Sequence, residues 1–380
     1  MIVNTHVHMP PNFSAYTCVG DAVATAAAEG VRALGISNFY DWGVYHYFGA
    51  AADAAGIYPL FGLEFIAYDA SLAQSGVRVN DPANPGRFYL CGKGADMSRP
   101  LPETAHAIRS GNDSRVLAMV QLVRDRLLMA GVPGAAELTV EGLSAKIAER
   151  SGTQVEWVSL QERHIAMGTQ ELLAKLPHPD RVAAFERLYG RNPDHVDDAV
   201  AVQSEIRARL LKAGTPAFVP EVLLRFEEAY ELVLAMGAVP VYPTLADGAT
   251  PVCEFEDPAD ELAGKVLARG IYAAEIIPVR NRSVVVDEYV RAFTQAGIVV
   301  MAGTEHNTAD RLPLDPACVD GPVSEFAREA FWQGTCVVAA HQWLSSCGDT
   351  GFVDSRGART DATVTELAAL GASLIEGRSA

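Results

Sequence analysis

The stretch Asn4-Thr5-His6-Val7-His8 closes an apolar run at the start of the chain. In an extended strand, residues two apart point to the same side, so His6 and His8 share one face. Paired imidazoles of this kind make half of a metal site, because neutral histidine nitrogen binds Zn, Mn and Fe. The plainer reading of either histidine alone is a hydrogen-bonded core residue. Glu64 lies inside the apolar run Gly62-Leu63-Glu64-Phe65. A carboxylate there is expensive to bury without a cation, either a metal or an arginine. Glu305 and His306 follow another strongly apolar run and Gly303, a setting that suits ligands. The competing role for such a turn is helix capping. His6, His8, Glu64, Glu305 and His306 are the expected metal ligands.

Residues so far apart in the chain need a scaffold that gathers them. Seven strand-like runs occur: IVNTHVH, VRALGIS, YPLFGLEFIAY, RFYLCG, AVPVY, IYAAEII and IVVMAG. Each is followed by helical periodicity, which predicts βα units around a parallel sheet. Between the fourth and fifth runs the strand texture vanishes. Residues 95–225 read as an all-helical insertion, with 1–94 and 226–380 forming the α/β body. The insertion is expected to cap the mouth of that body, and the tail after about Ser355 is expected to carry no function.

Active sites on parallel sheets collect at the carboxyl ends of the strands. Those ends supply His6 and His8, Asn38, Glu64, Cys91 with Lys93, Tyr242 with Asp247, Glu275 with Arg280, and Glu305 to Asn307. Asp247 is the expected proton acceptor or supporting partner. Lys93 and Arg280 are the expected anchors for a substrate anion, one as a point charge and the other as a planar fork. Asn38, Glu275 and Asn307 are possible secondary ligands. His46 and His341 read as structural.

Composition narrows the function classes. The chain has 380 residues, 49% of them hydrophobic, and a net charge of −17. Phosphate-binding surfaces for nucleic acid or membranes are normally basic, so neither partner is expected, and a small anionic substrate remains open. Six scattered cysteines without a C-x-x-C pair read as reduced thiols. With no cationic leader and no membrane-length apolar run, a cytoplasmic protein is expected. Oligomeric state is not legible.

The order NTHVH, GISNFYD, GLEF, YPTLADG, AGTEHN resembles the PHP (polymerase and histidinol phosphatase) superfamily of metal-dependent phosphoesterases. The resemblance covers the segments flanking the helical insertion. It implies a distorted seven-stranded (β/α)7 TIM-like barrel, in agreement with the strand count, and a site that binds Zn, Mn or Fe to hydrolyse phosphate esters. The departures are specific. Ser37, Asn38 and Phe39 stand where the family writes T-D-H, a histidine is replaced within Phe88–Cys91, and Tyr242-Pro243 replaces H-P. Glu305, His306 and Asn307 stand at the closing D-x-H. The expectation is a reduced site with one or two divalent ions acting on a small phosphorylated substrate. Two alternatives remain: an amidohydrolase-like C–N or C–O hydrolase on the same barrel, and a silent binder of a phosphorylated or sugar-like ligand.

Overall fold

The computed structural model describes residues 1–191, 195–308 and 311–379, which divide into two compact units. The first comprises Met1–Met9, Ser14–His106 and Leu223–Ala380. The strands of its main sheet are β1 (Ile2–Val7), β2 (Val31–Phe39), β3 (Tyr58–Tyr68), β4 (Arg87–Lys93), β5 (Leu224–Arg225), β6 (Val239–Thr244), β7 (Ala273–Ile276) and β8 (Val299–Ala302). They pair in the order β1-β2-β3-β4-β6-β7-β8, with the two-residue β5 against β3. The turn after β8 then returns to β1. Glu305 bridges Val7 in parallel, the amides of Thr304 and Glu305 donate to the His6 carbonyl, and the His8 amide donates to Glu305. The result is a distorted, nearly closed seven-stranded barrel.

These segments become strands because they are apolar on both faces, the pattern of a sheet covered inside and out. From Val3 to His8 every residue of the first strand region is buried. Helices α1 (Val19–Ala28) and α2 (Tyr45–Ala54) follow β1 and β2, and the short α3 (Ala70–Gln74) follows β3.

One strand departs from the expected parallel pattern. β4 runs antiparallel to both neighbours, with Cys91 opposite Glu64 and Val241, and Lys93 opposite Gly62 and Val239. Its carboxyl end therefore lies beside the start of β6, away from the strand ends that carry His8 and Glu305. Propensity and periodicity mark a strand but are silent on its direction, which long-range pairing decides.

The second unit comprises Pro10–Phe13 and Ala107–Val222. Residues 95–106 and 223–225 group with the barrel, and Pro10–Phe13 groups with the helices. Its helices are α4 (Glu103–Met129, counted here from Ala107), α5 (Val140–Ser151), α6 (Glu162–Ala174), α7 (His178–Tyr189) and α8 (Ala199–Ile206). They enclose a core of their own built on Val120, Val123, Ile165, Phe185, Ile206 and Leu210. Gln161 donates to Asn12 at 2.9 Å and the Phe13 ring meets His164 edge-on, which ties the four-residue segment after Met9 into this core.

The remaining helices return to the barrel: α9 (Phe226–Ala235), α10 (Ala259–Leu267), α11 (Ser283–Gln295), α12 (Glu325–Ser346) and α13 (Val364–Glu376). The tail is structural. Leu367 and Ile375 of α13 join Cys336, Val337 and Ala340 of α12 in the core that also holds Val3 and Met301. His341 takes the structural role expected of it, with Nε2 on the Gly237 carbonyl and Nδ1 accepting from the Phe352 amide. No helix among the described residues is long and apolar enough to cross a membrane.

Candidate metal centre

β1 delivers His6 and His8 through an irregular stretch, with a register shift against β2 between Asn4 and Val7. The ring centroids of the two histidines lie 5.2 Å apart, and both side chains are buried. His8 Nε2 stands 3.6 Å from Glu64 Oε2 on β3. His6, His8 and Glu64 each offer a ligand atom, and those atoms lie within 4.8 Å of one another. Burial drives the Glu64 carboxyl up to about 7; His6 pulls it down and Glu305 pushes it further up. That is how a buried acid behaves when it lacks a cation.

Glu275 on β7 holds this group in place. Its Oε2 accepts from His6 Nδ1 at 2.6 Å, and its Oε1 accepts from Thr5 Oγ1 at 2.7 Å. An ionised carboxylate can only accept, so this bond places a proton on Nδ1, and in the neutral ring Nε2 is then the nitrogen that can bind a metal. This is the arrangement that orients metal-bound histidines. Burial alone would raise the Glu275 carboxyl, but the Lys93 ammonium and His6 outweigh it and hold the group far below the carboxylate range.

Lys93 is not at the barrel mouth and cannot anchor a substrate. Because β4 is reversed, its side chain runs through the barrel interior, and only 1% of it is exposed. Its Nζ donates to the Thr5 carbonyl and to Ser37 Oγ, each at 2.7 Å, and pairs with Glu275 Oε1 at 2.9 Å. Two glycines make room for this layer. A Cβ on Gly62 would stand 3.0 Å from Lys93 Cδ and 2.8 Å from the Gly92 carbonyl, and one on Gly303 would stand 2.3 Å from His6 Cβ.

The turn after β8 is strained, with φ of 59° at Glu305 and 53° at His306. Glutamate is not a natural occupant of that region, although histidine tolerates it, and such strain collects at functional sites. The expected ligand role does not fit His306. Its Nδ1 meets Thr304 Oγ1 at 2.7 Å, its Nε2 meets the Leu312 carbonyl at 2.8 Å, and its ring stacks on Tyr16. Both nitrogens are occupied, and burial lowers its basicity further. Glu305 forms an ion pair with Arg280 and accepts from Asn307 Nδ2 at 2.7 Å. It lies close enough to Glu64 to raise that carboxyl, but outside the three-residue cluster. Arg280 is thus a partner of Glu305 first, with 39% of its side chain exposed.

The other expected residues have defined tasks. Asn38 clamps the chain beyond His8: its Oδ1 accepts from the Met9 amide at 2.8 Å and its Nδ2 donates to the Met9 carbonyl at 3.1 Å. Asp247 accepts from Arg282 Nε at 2.8 Å and from its amide, which leaves no support for a proton-acceptor role. Tyr242, standing where H-P is expected, donates to Glu256 Oε1 at 2.9 Å deep in the barrel wall. Sequence reasoning missed Thr5, Ser37 and Glu256. Their side chains are ordinary in type, and only the fold brings them to Lys93, Glu275 and Tyr242.

With this geometry in place, the chain can be set beside known structures. No protein-family model matches the sequence, and no curated protein matches it. A solved structure of a Bifidobacterium adolescentis protein assigned as a metal-dependent phosphoesterase is similar, with a TM-score of 0.55 and 14% identity, over 87% of this chain and 96% of that one. An amidohydrolase from Chromobacterium violaceum, solved with bound sulfate and no metal, has a TM-score of 0.50 and 16% identity, over 87% of this chain and 97% of that one. The likeness is one of fold.

The residues themselves fit a divalent ion. His6 Nε2 is a buried imidazole nitrogen with no hydrogen-bond partner among the described residues. Glu64 is a buried acid short of a cation, and His8 stands against it. Three protein ligands of N, N and O type leave a further coordination position, as in catalytic sites. A second grouping, His6, Cys91 and Glu275, also lies within 4.8 Å. It fits poorly, because Glu275 is already engaged by His6, Thr5 and Lys93, and burial pushes the Cys91 thiol well above its ordinary range.

Proposed function

We propose that this chain is a metal-dependent hydrolase of small phosphate esters, with His6, His8 and Glu64 holding a divalent ion. The observation that carries the reading is the Glu275–His6 pair, which orients His6 in a group where His6, His8 and Glu64 each offer a ligand atom. Zn, Mn or Fe suits this mixed N and O donor set. When bound, such an ion supplies an activated water and polarises the oxygen under attack. Asn38 keeps the chain after His8 in register, and Glu305 keeps Arg280 at the same rim. Arg280 has five N–H donors and is partly exposed, so it retains donors for a substrate phosphate. A net charge of −17 favours a small substrate over nucleic acid. Amidohydrolase-like hydrolysis of a C–N or C–O bond is the second reading, supported by the equal coverage of the amidohydrolase fold.

The test is a screen of phosphate monoesters and amides with added Mn or Zn, comparing the wild type with His8→Ala. The variant should lose bound metal and turnover together, because the remaining ligands hold the ion too weakly. Equal rates in the two proteins would exclude this centre. Tight binding of a phosphorylated sugar with no turnover would make the protein a binder.

A further inference from the structure

Lys93 is the unusual feature of the barrel interior. Lysine is almost never fully buried unless its charge is matched. Here all three N–H bonds are directed: to Thr5 of β1, Ser37 of β2 and Glu275 of β7. The ammonium joins three strands, and it does so beside the ligand cluster, through the same carboxylate that orients His6. Resting on the metal-dependent reading above, we infer that Lys93 is a built-in cation that takes the place of a second metal ion, so that the centre holds one divalent ion and no more.

The pairing of charges around the site supports this. Glu275 is paired with Lys93, and Glu305 with Arg280. Glu64 is the carboxylate of the group left without a permanent cation. One divalent ion on Glu64 and two neutral imidazoles leaves a net charge of one, which a hydroxide or a substrate anion can balance. A second ion would need anionic ligands from Glu275 or Cys91, within reach of an ammonium already bound to Glu275. The ammonium occupies the Glu275 oxygen that such an ion would need, and it repels a further cation there. Glycine at position 62 preserves the passage for the lysine stem.

The experiment measures bound Mn or Zn per chain in the full-length protein after metal loading and gel filtration, alongside an anomalous-scattering map. The wild type should carry one ion. Lys93→Met strips Glu275 of its cation and should raise the count to two, with the second ion on Glu275. Lys93→Met with Glu275→Gln removes both charges and should not exceed one. Circular dichroism reports whether each variant folds. If Lys93→Met does not fold, the wild-type count and the double variant decide. Two ions in the wild type, two in the double variant, or one in a folded Lys93→Met protein would overturn the inference while leaving the metal reading standing. No ion in the loaded wild type would remove the metal reading, and the inference with it.

Discussion

At the scale of single residues, the site separates groups that offer ligand atoms from groups that position them. Glu275 touches His6, Thr5 and Lys93, so Glu275→Gln acts in two ways. It leaves the tautomer of His6 unfixed, which should weaken metal affinity by roughly 10–100-fold. It also strands a buried ammonium, at a cost of about 3–5 kcal/mol in stability. Metal titration and urea unfolding read the two effects separately; unchanged affinity would show that Glu275 supports only the fold. His306 makes the opposite case. Both its nitrogens are engaged within the turn, so His306→Gln should lower stability while metal content stays at the wild-type value. Loss of metal in a folded His306→Gln protein would return that residue to the ligand set.

At the scale of elements, the order of strands was legible and the direction of one was not. Alternating apolar runs and helices predict the barrel, and the H-x-H spacing brings His6 and His8 together with Glu64, since periodicity and strand-end position are local properties. Nothing local distinguishes a parallel from an antiparallel β4. That single reversal moves Lys93 from an expected rim position to the interior and turns a substrate anchor into a partner of Glu275. The engagement of Arg280 with Glu305 was equally hidden, because it depends on how the turns after β7 and β8 meet. Close strand packing gives a prediction at this scale. A methyl group at Gly303, where β8 leaves the sheet, would collide with His6. Gly303→Ala should therefore destabilise the protein by roughly 1–3 kcal/mol, as overpacking does, and reduce metal affinity by displacing His6. Unfolding midpoints and metal titration check it, and a variant with wild-type values in both would show that β1 can yield.

At the scale of the whole molecule, buried groups of opposite sign set the pH response. Burial raises Glu64 and Glu256 from 4.5 to about 7. The folded chain keeps protons there that the unfolded chain releases, so stability from these acids is lost as pH rises from about 4.5 through 7. Burial lowers His164 and His341 from 6.5 to about 3 and 4. The unfolded chain binds protons that the fold refuses, so stability is lost as pH falls below 6.5. Between 4.5 and 6.5 the acids oppose these histidines and His306, which burial also lowers, so the metal-free protein should change less in stability than either set alone would dictate. Above 6.5 the acids act alone and it should weaken. A divalent ion must displace the proton from Glu64, so its apparent affinity should improve as pH rises, by up to about tenfold per unit below pH 7. Added Mn or Zn should accordingly raise the unfolding temperature more at pH 8 than at pH 6. Glu256→Gln should keep that difference, because Glu256 is bonded to Tyr242 and to the amides of Leu245 and Ala246, away from the cluster. His8→Ala should abolish the metal-induced shift at both pH values. A shift of equal size at pH 6 and pH 8 in the wild type would mean that the ion does not compete with a proton on Glu64, and that Glu64 is not its ligand.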